Sequence, residues 1–526
     1  MTNIHTLAEL RASRYRIRSV KDEMRENLLS RIARGEKTFP GIHGYDRTVI
    51  PAVHNAILSK HDIILLGLRG QAKTRILRSL TTLLDEAIPI VEGCEINDLP
   101  FRPACKRCRR LAAELGDDLP VAWLRREERY REKLATPDVT VADLIGDIDP
   151  IKAANQRLTY ADEEVIHYGI IPRTNRGIFA INELPDLAPR IQVALLNILE
   201  ERDLQIRGFP VRIPMDVVLV FSANPEDYTS RGNIITPLKD RIDSQILTHY
   251  PQSVRTAMQI TEQEAWLERP APATTDIPPY MRELIEEIAF VARQSELVDQ
   301  SSGVSARLTI SAMELLQSNL ERRAALTGDN YVFPRLSDLA MLLPAITGKV
   351  EMVYEGEQQG AEVVARKLIG TAVAKLFESK FPPVERAGVN ARAERNRPEM
   401  DHDDLDDVFA GRRARKPAPP PREETRSNAK AEPNYDSILA WFVDGNRVTL
   451  SDEQPFAEYF RELNRIPRLA ETATKYASSK NEYEQAFWME MILEGLHQAL
   501  RLAREDLDST ITFQELMKFN VLRTVK

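Results

Sequence analysis

This chain has little cysteine, no long apolar run and no excess of positive charge. Three cysteines in 526 residues exclude a disulfide framework and favour a reducing compartment, so we expect a cytoplasmic protein. No apolar run approaches the roughly 20 residues of a membrane span, and the first residues lack the apolar core of a secretion signal. The net charge is −8, which makes nucleic acid an unlikely partner.

What is present has the proportions of a soluble globular protein, with 43% hydrophobic and 29% charged residues. Five segments differ in pattern: a charged helical stretch, an alternating stretch, a helical stretch, a charge-blocked proline-rich stretch and a final ordered one. The predicted domains are an N-terminal helical arm (1–36), an α/β domain (37–250), a helical lid (251–385), a disordered linker (386–434) and a helical partner-binding domain (435–526).

Three apolar runs in the second segment are continuous rather than alternating. They are IILLGL at 63–68, GIFAI at 177–181 and VVLVFSA at 217–223. Continuous runs are typical of strands that are buried on both faces of a parallel sheet. Helical patterns lie between them, so the sequence predicts a three-layer α/β fold with a parallel sheet.

The final segment carries a clear helical periodicity. Trp488, Ile492, Leu496 and Leu500 recur every four residues, with Ala499 and Ala503 beside them. This pattern predicts an amphipathic helix in a small, mainly helical C-terminal domain.

A candidate phosphate loop follows the first apolar run at 67–74. It fits G-x-x-x-x-G-K-[ST] except that Ala72 replaces the last glycine. We expect Ala72 to lie at the helix start with negative φ, where a methyl group costs little. Lys73 would neutralise the β- and γ-phosphates, and the Thr74 hydroxyl would bind Mg²⁺. The alternative is an ordinary strand-to-helix turn. The predicted nucleotide-binding residues are Gly67, Leu68, Arg69, Gly70, Gln71, Ala72, Lys73, Thr74 and Arg75.

Polar residues end the other two apolar runs. Asn182 and Glu183 follow one run, and Asn224 follows the next. ATP hydrolysis needs a group near the metal and a carboxylate that polarises water, tasks that suit Asn182 and Glu183 respectively. Asn224 could orient the attacking water. Each residue alone is also compatible with a plain strand end.

Two arginines complete the set of candidate catalytic residues. Arg241, in the stretch L-K-D-R, could act as an arginine finger, or it could form a surface ion pair with Asp240 or Asp243. Arg307 lies at a predicted helix start, where a cation is unfavourable for the helix dipole. A phosphate-facing role accounts for that position, and an exposed arginine is the simpler alternative.

The order of these motifs resembles that of an AAA+ ATPase, specifically the MoxR and magnesium-chelatase I-subunit group. The loop has that group's G-x-A-K-T form. Residues from 138 to about 160 look like its helix-2 insertion, 173–177 like its R-x-x-G stretch and 204–216 like its pre-sensor hairpin. The resemblance covers about residues 37–350. It implies that Glu183 is the catalytic base, Asn224 sensor 1, Arg241 the finger acting on the neighbouring subunit and Arg307 sensor 2.

The resemblance also implies a hexameric ring, ATP and Mg²⁺ as cofactors, and a remodelled client, often a protein with a von Willebrand A domain. Asn182 departs from the group, which normally has aspartate there, so we expect slow hydrolysis. One alternative is a nucleotide-gated scaffold with negligible hydrolysis. Another is a magnesium or cobalt chelatase-type ATPase subunit, although the 435–526 segment cannot supply the adhesion-site domain of a chelatase D subunit.

All three cysteines fall in one window, at Cys94, Cys105 and Cys108. The last two have zinc-knuckle spacing, and thiolates suit Zn²⁺. The sequence leaves the fourth ligand open between Asp98, a water and a group from elsewhere. Redox-active thiols and plain structural thiols are the alternatives. Prolines within 92–110 argue against one continuous helix there, so we expect an inserted loop.

Overall fold

The computed structural model describes residues 4–156, 162–206, 212–225, 233–270, 273–384, 435–507 and 510–516. The predicted linker at 386–434 lies outside the described residues, as does the tip of the predicted pre-sensor hairpin. The chain divides into two compact units. We call the first the sheet unit (Met1–Ala265, Ala292–Ser311 and Gly348–Gln358) and the second the helical unit (Trp266–Val291, Ala312–Thr347 and Gln359–Lys526).

The strands of both units are short. They are β1 (Ile63–Leu66), β2 (Ala87–Val91), β3 (Val121–Arg125), β4 (Tyr130–Leu134), β5 (Gly146–Ile148), β6 (Ile166–Tyr168), β7 (Gly177–Asn182), β8 (Asp203–Gln205), β9 (Arg212–Pro214), β10 (Val217–Ala223), β11 (Ser244–Leu247), β12 (Thr274–Thr275), β13 (Tyr331–Val332), β14 (Val448–Ser451), β15 (Leu502–Leu507) and β16 (Thr510–Glu515).

No helix in the described ranges is long and apolar enough to cross a membrane. The α-helices are α1 (Leu7–Ala12), α2 (Val20–Ala33), α3 (Val49–Leu58), α4 (Lys73–Ser79), α5 (Lys106–Leu115), α6 (Val141–Leu144), α7 (Pro150–Gln156), α8 (Pro189–Ala194), α9 (Leu196–Glu200), α10 (Thr236–Arg241), α11 (Val254–Glu264), α12 (Pro279–Ala292), α13 (Arg307–Thr327), α14 (Leu343–Thr347), α15 (Tyr354–Gln359), α16 (Ala361–Lys380), α17 (Asp436–Val443), α18 (Phe456–Asn464), α19 (Leu469–Tyr476) and α20 (Glu482–Gln498).

The sheet unit is built on a five-stranded sheet in the order β11-β1-β10-β7-β4, and every neighbouring pair in it is parallel. Its three central strands are the three apolar runs of the sequence. Alternate residues of each strand point to opposite faces, and both faces are buried in separate apolar clusters. Phe179 and Phe221 lie in one cluster, whereas Ile178 and Val220 lie in the other. The predicted three-layer α/β fold is confirmed.

The N-terminal helices pack on this domain through a buried ion pair. Glu23 of α2 binds Arg129 by two hydrogen bonds of 2.7 and 2.6 Å, and the Arg129 side chain is 1% exposed. Arg129 also donates to the Arg176 carbonyl. Since a buried charge is costly without a partner, this pair holds α2 in one position on the domain.

Hairpins extend from the sheet where the insertion and the pre-sensor hairpin are predicted. β5 pairs antiparallel with β6, and the helix α7 lies between them in sequence. β8 pairs antiparallel with β9. Both additions occur between strands of the main sheet, so the sheet order itself is unaffected.

The helical unit combines residues of the predicted lid with C-terminal residues around one buried carboxylate. Glu490 of α20 is 2% exposed. It accepts hydrogen bonds from the Leu336 and Ser337 N–H groups at 2.8 and 3.0 Å and from the Tyr459 hydroxyl at 2.6 Å. Arg335 donates to the Ser451 carbonyl. The two segments therefore share one polar core within this unit.

The predicted C-terminal helix ends earlier than its periodicity suggests. Trp488, Ile492 and Leu496 are buried on α20, but the helix stops at Gln498. Leu500 has φ of +58°, which breaks the helix, and Ala503 lies in β15. β14, β16 and β15 form a three-stranded antiparallel sheet that the sequence analysis did not predict. The placement of Leu500 and Ala503 on the helix was wrong.

We predict that Glu490→Ala lowers the free energy of unfolding by about 3 kcal/mol, because it leaves two backbone N–H groups and one hydroxyl buried without an acceptor. Urea denaturation followed by circular dichroism measures the loss. Glu482→Ala, an exposed change on the same helix, is the control and should cost less than about 1 kcal/mol. Equal losses in the two variants would contradict the assigned role of Glu490.

Candidate active site

The loop at 67–72 connects β1 to α4, and its two glycines lie closely against neighbouring side chains. A Cβ at Gly67 would overlap Thr248 Oγ1 and Gln71 Oε1, and Gly70 has φ of +73°. A Cβ at Gly70 would also overlap Ser305 Oγ. Glycine is required at both positions, as the phosphate-loop interpretation predicts.

Ala72 adopts a backbone conformation that the sequence analysis did not predict. Its φ is +57°, in the left-handed region, so the expectation of negative φ was wrong. The chain must reverse direction here before α4 begins at Lys73, and the left-handed residue makes that reversal. Alanine in this conformation costs roughly 1 kcal/mol relative to glycine.

A chain of hydrogen bonds links three residues that the sequence analysis selected separately. Lys73 Nζ donates to Asn224 Oδ1 at 2.7 Å, and Asn224 Nδ2 donates to Glu183 Oε2 at 3.0 Å. Lys73 also donates to the carbonyls of Gly67 and Leu68. The cause is topological: β10 lies between β1 and β7, so the carboxyl ends of all three strands meet at one edge.

Asn182 and Glu183 are held by a residue of the neighbouring strand. The Ser222 hydroxyl donates to Asn182 Oδ1 at 3.1 Å and accepts from the Glu183 N–H at 3.4 Å. Glu183 has φ of +57°, an unusual conformation for this residue type. Ser222 was missed from the sequence because it lies inside an apolar run. Its single polar side chain among seven buried residues was the available signal.

A second group of missed residues positions the loop from the opposite side. Thr248 Oγ1 donates to Gln71 Oε1 at 2.6 Å, and the Tyr45 hydroxyl donates to the Gln71 carbonyl at 3.0 Å. Burial raises the pKa of Tyr45 to about 12, so the hydroxyl keeps its proton. A pocket opens beside the loop between Ile42, Tyr45 and Ile260, among others.

The arginines have partners other than those suggested by the sequence. Arg241, at the end of α10, forms an ion pair with Glu200 at 2.6 Å. Arg69 pairs with Glu351, and Arg75 pairs with Glu264. Arg75 also lines the pocket beside the loop.

Arg307 is the first residue of α13, and its side chain is exposed. Its N–H donates to Ser305 Oγ at 3.1 Å. Since Ser305 lies against Gly70, the start of α13 adjoins the phosphate loop. Thr74 is the second residue of α4 and is partly exposed.

The cysteine window folds into a separate buried cluster. The ligand atoms of Cys94, Asp98, Cys105 and Cys108 all lie within 4.8 Å of one another. Hydrogen bonds from the Cys105 and Cys108 thiols lower the pKa of Cys94 to about 4, and burial raises the pKa of Asp98 to about 7. The sequence left the fourth ligand open, and the structure brings Asp98 to that place. Part of the expected loop is the helix α5.

Comparisons with known proteins bear on the sheet unit. The family model for the AAA domain of the dynein-related subfamily matches residues 120–242. That range contains Asn182, Glu183, Asn224 and Arg241. No curated protein matches the chain in sequence.

Three solved structures that match this chain have low sequence identity to it. NtrX from Brucella abortus is 12% identical with a TM-score of 0.32, and the match covers 56% of each chain. A proposed ATPase from Cytophaga hutchinsonii is 16% identical with a TM-score of 0.28, over 70% of this chain and 98% of that one. A structure of the complex between the BchI and BchD subunits of magnesium chelatase is 19% identical with a TM-score of 0.32. The match covers 65% of this chain and 95% of that one.

The family match and the site geometry point to the same domain type. The match spans the strands that end in Glu183 and Asn224. Lys73 donates a hydrogen bond to Asn224, and Asn224 donates one to Glu183. Residues 120–242 therefore match the AAA domain of the dynein-related subfamily, and they lie within a unit of three-layer α/β architecture.

Proposed function

We propose that this protein is an AAA+ ATP hydrolase of the MoxR and magnesium-chelatase I-subunit group, which couples ATP binding and hydrolysis to the remodelling of a partner protein. The observation that carries the proposal is the hydrogen-bonded chain from Lys73 through Asn224 to Glu183. It places a cation, an amide and a carboxylate in sequence at the carboxyl edge of the sheet. Those are the groups that phosphoryl transfer to water requires.

Nucleotide binding would use the loop and the pocket beside it. Lys73 is only 8% exposed and is held by carbonyl oxygens and Asn224. It would exchange these neutral acceptors for the more strongly attracting phosphate oxygens. The pocket at Ile42, Tyr45 and Ile260 lies next to Gly70 and Ala72, where a base and ribose could extend from the phosphates.

Glu183 is suited to activate the attacking water. Its carboxylate accepts a hydrogen bond from Asn224, which fixes one oxygen and leaves the group able to take a proton from water. Asn224 would orient that water. Thr74, Asn182 and Glu183 supply hydroxyl, amide and carboxylate oxygens, a donor set that fits Mg²⁺, and a bound Mg²⁺ would neutralise phosphate charge.

The wider assembly is part of the proposal. Arg241 would act on the nucleotide of a neighbouring subunit in a hexameric ring, and Arg307 would contact the nucleotide of its own subunit. The client would be a von Willebrand A domain protein or another partner docked by the C-terminal residues, in the cytoplasm.

A second candidate function, a nucleotide-gated scaffold, is favoured by one contact. Asn182 Oδ1 accepts the Ser222 hydroxyl, and an amide at this position lacks the negative charge of aspartate. Weaker metal binding would slow hydrolysis. A chelatase-type ATPase subunit remains the other alternative, and it predicts stimulation by a porphyrin-processing partner.

We predict that Lys73→Ala abolishes ATP binding and that Glu183→Gln preserves binding while stopping turnover, because glutamine accepts no proton. Nucleotide affinity by calorimetry and phosphate release measure the two steps. Lys37→Ala, which changes an exposed lysine, is the control and should behave like the native protein. Turnover at the native rate in Glu183→Gln would refute the assigned base.

We predict that Asn182→Asp raises the hydrolysis rate, because the added charge binds Mg²⁺ more tightly. A tenfold gain corresponds to about 1.4 kcal/mol of transition-state stabilisation. The rate should saturate at a lower Mg²⁺ concentration than in the native protein. Ser222→Ala in the same assay removes the hydroxyl that donates to Asn182 Oδ1. A faster rate in this variant would mean that the hydroxyl contact, rather than the missing charge, limits hydrolysis. An unchanged rate and Mg²⁺ dependence in Asn182→Asp would mean that the missing charge is not limiting.

We predict that Arg241→Ala keeps ATP affinity and loses about 10³-fold in hydrolysis. Mixing it with Glu183→Gln should restore activity, since roughly a quarter of the interfaces in randomly mixed rings pair an intact base with an intact finger. Glu200→Ala is the control: it removes the ion-pair partner but leaves the arginine. If Glu200→Ala loses as much activity, or mixing restores none, Arg241 acts structurally within its own subunit.

A further inference from the structure

We propose that Cys94, Asp98, Cys105 and Cys108 bind one zinc ion in a closed tetrahedral site that fixes the helix α5 to the sheet unit. The proposal is independent of the ATPase proposal, because none of these residues belongs to the hydrogen-bonded chain at Lys73. The helix α5 (Lys106–Leu115) begins directly after one of the four ligands.

The spacing of the four side chains fits a tetrahedral metal. With Zn–S bonds of about 2.3 Å, neighbouring sulfur ligands in a tetrahedron are separated by about 3.8 Å. The four ligand atoms here all lie within 4.8 Å of one another, so small shifts bring them to that geometry. Within the described part of the chain, it is the one group of cysteine, histidine and acidic side chains whose ligand atoms lie close enough together to share a metal ion.

The local backbone already directs the ligands to a common point. The Asp98 N–H donates to Cys94 Sγ at 3.3 Å, the Cys108 N–H donates to Cys105 Sγ at 3.4 Å, and the Cys105 N–H donates to Asp98 Oδ2 at 2.9 Å. Backbone N–H groups that point at sulfur stabilise thiolates, the form in which cysteine binds metal. One carboxylate oxygen receives the third N–H, and the other can face the ion.

Burial favours a structural role for the metal over a catalytic one. Exposure is 8% for Cys94, 1% for Asp98, 6% for Cys105 and 0% for Cys108. A catalytic zinc keeps one position open to water, whereas four buried protein ligands complete the coordination. Three thiolates select a soft or borderline ion such as Zn²⁺ over Mg²⁺.

A bound metal would act on a larger part of the sheet unit through α5. Lys106, Arg109 and Arg110 on this helix form ion pairs with Asp162, Glu163 and Glu164. Glu163 also accepts the Lys106 N–H at 2.8 Å and is 6% exposed. These acidic residues lead directly into β6 of the insertion hairpin. Fixing the start of α5 therefore fixes the surface on which the insertion is anchored.

The test is metal content and spectroscopy on the full chain. Elemental analysis of protein purified without added metal should find about one zinc per chain. Replacement by Co²⁺ should give the intense visible bands of a tetrahedral centre with thiolate charge transfer. Cys108→Ser should lose the metal. Asp98→Cys should keep it with a spectrum altered toward four thiolates, and Asp98→Ala should bind it more weakly.

Matched controls separate the site from general damage. Glu95→Gln changes a neighbouring carboxylate that pairs with Lys152 and should keep the metal. If the cysteine variants do not fold, chelation of the native protein replaces them: it should speed hydrogen exchange in α5 and 162–168 while ATP affinity stays unchanged. A metal-free preparation with full exchange protection, or a disulfide among the three cysteines, would overturn the proposal.

Discussion

The active-site edge depends on one arrangement, the position of β10 between β1 and β7. Asn224 ends β10, so its amide can accept from Lys73 on one side and donate to Glu183 on the other. An amide can do both at once, because it carries an acceptor oxygen and a donor nitrogen. With β10 elsewhere in the sheet, Lys73 and Glu183 would not share this amide.

Two residues at this edge lie in left-handed backbone, Ala72 and Glu183. Neither is a glycine, so each conformation raises the energy of the folded state by about 1–2 kcal/mol. The surrounding contacts compensate: Tyr45 and Thr248 hold the loop at Gln71, and Ser222 holds the Glu183 N–H. Strain that neighbouring hydrogen bonds maintain is common at functional sites. It fixes where the loop N–H groups and the carboxylate point.

Much of the sheet unit could be predicted because its signals are local. Continuous apolar runs predicted the three central strands; the loop motif selected Lys73, and polar residues at strand ends selected Glu183 and Asn224 as candidates. The φ of Ala72 was wrong because the motif fixes residue types, whereas the backbone must also reverse before the helix. The partners of Arg241 and the approach of Asp98 to the cysteines depend on tertiary folding, which spacing alone does not encode.

In the C-terminal part, the hydrophobic repeat extends beyond the end of the helix at Gln498. The four-residue repeat continues to Leu500, yet the chain turns at that residue and forms β15, which pairs antiparallel with the next strand, β16. Hydrophobic spacing cannot distinguish a helix that continues from a strand that begins with the same residue types. The antiparallel sheet in this unit was therefore not predictable from periodicity.

The buried carboxylate of Glu490 has a consequence for the order of folding. Its acceptor oxygens satisfy backbone groups at Leu336 and Ser337, more than 150 positions earlier in the chain. During synthesis at about 5–20 residues per second, those N–H groups wait for roughly 8–30 seconds before Glu490 is added to the chain. The lid residues of this unit then complete their core after translation of α20. The sheet unit, whose five strands all precede residue 248, has its sheet residues available earlier.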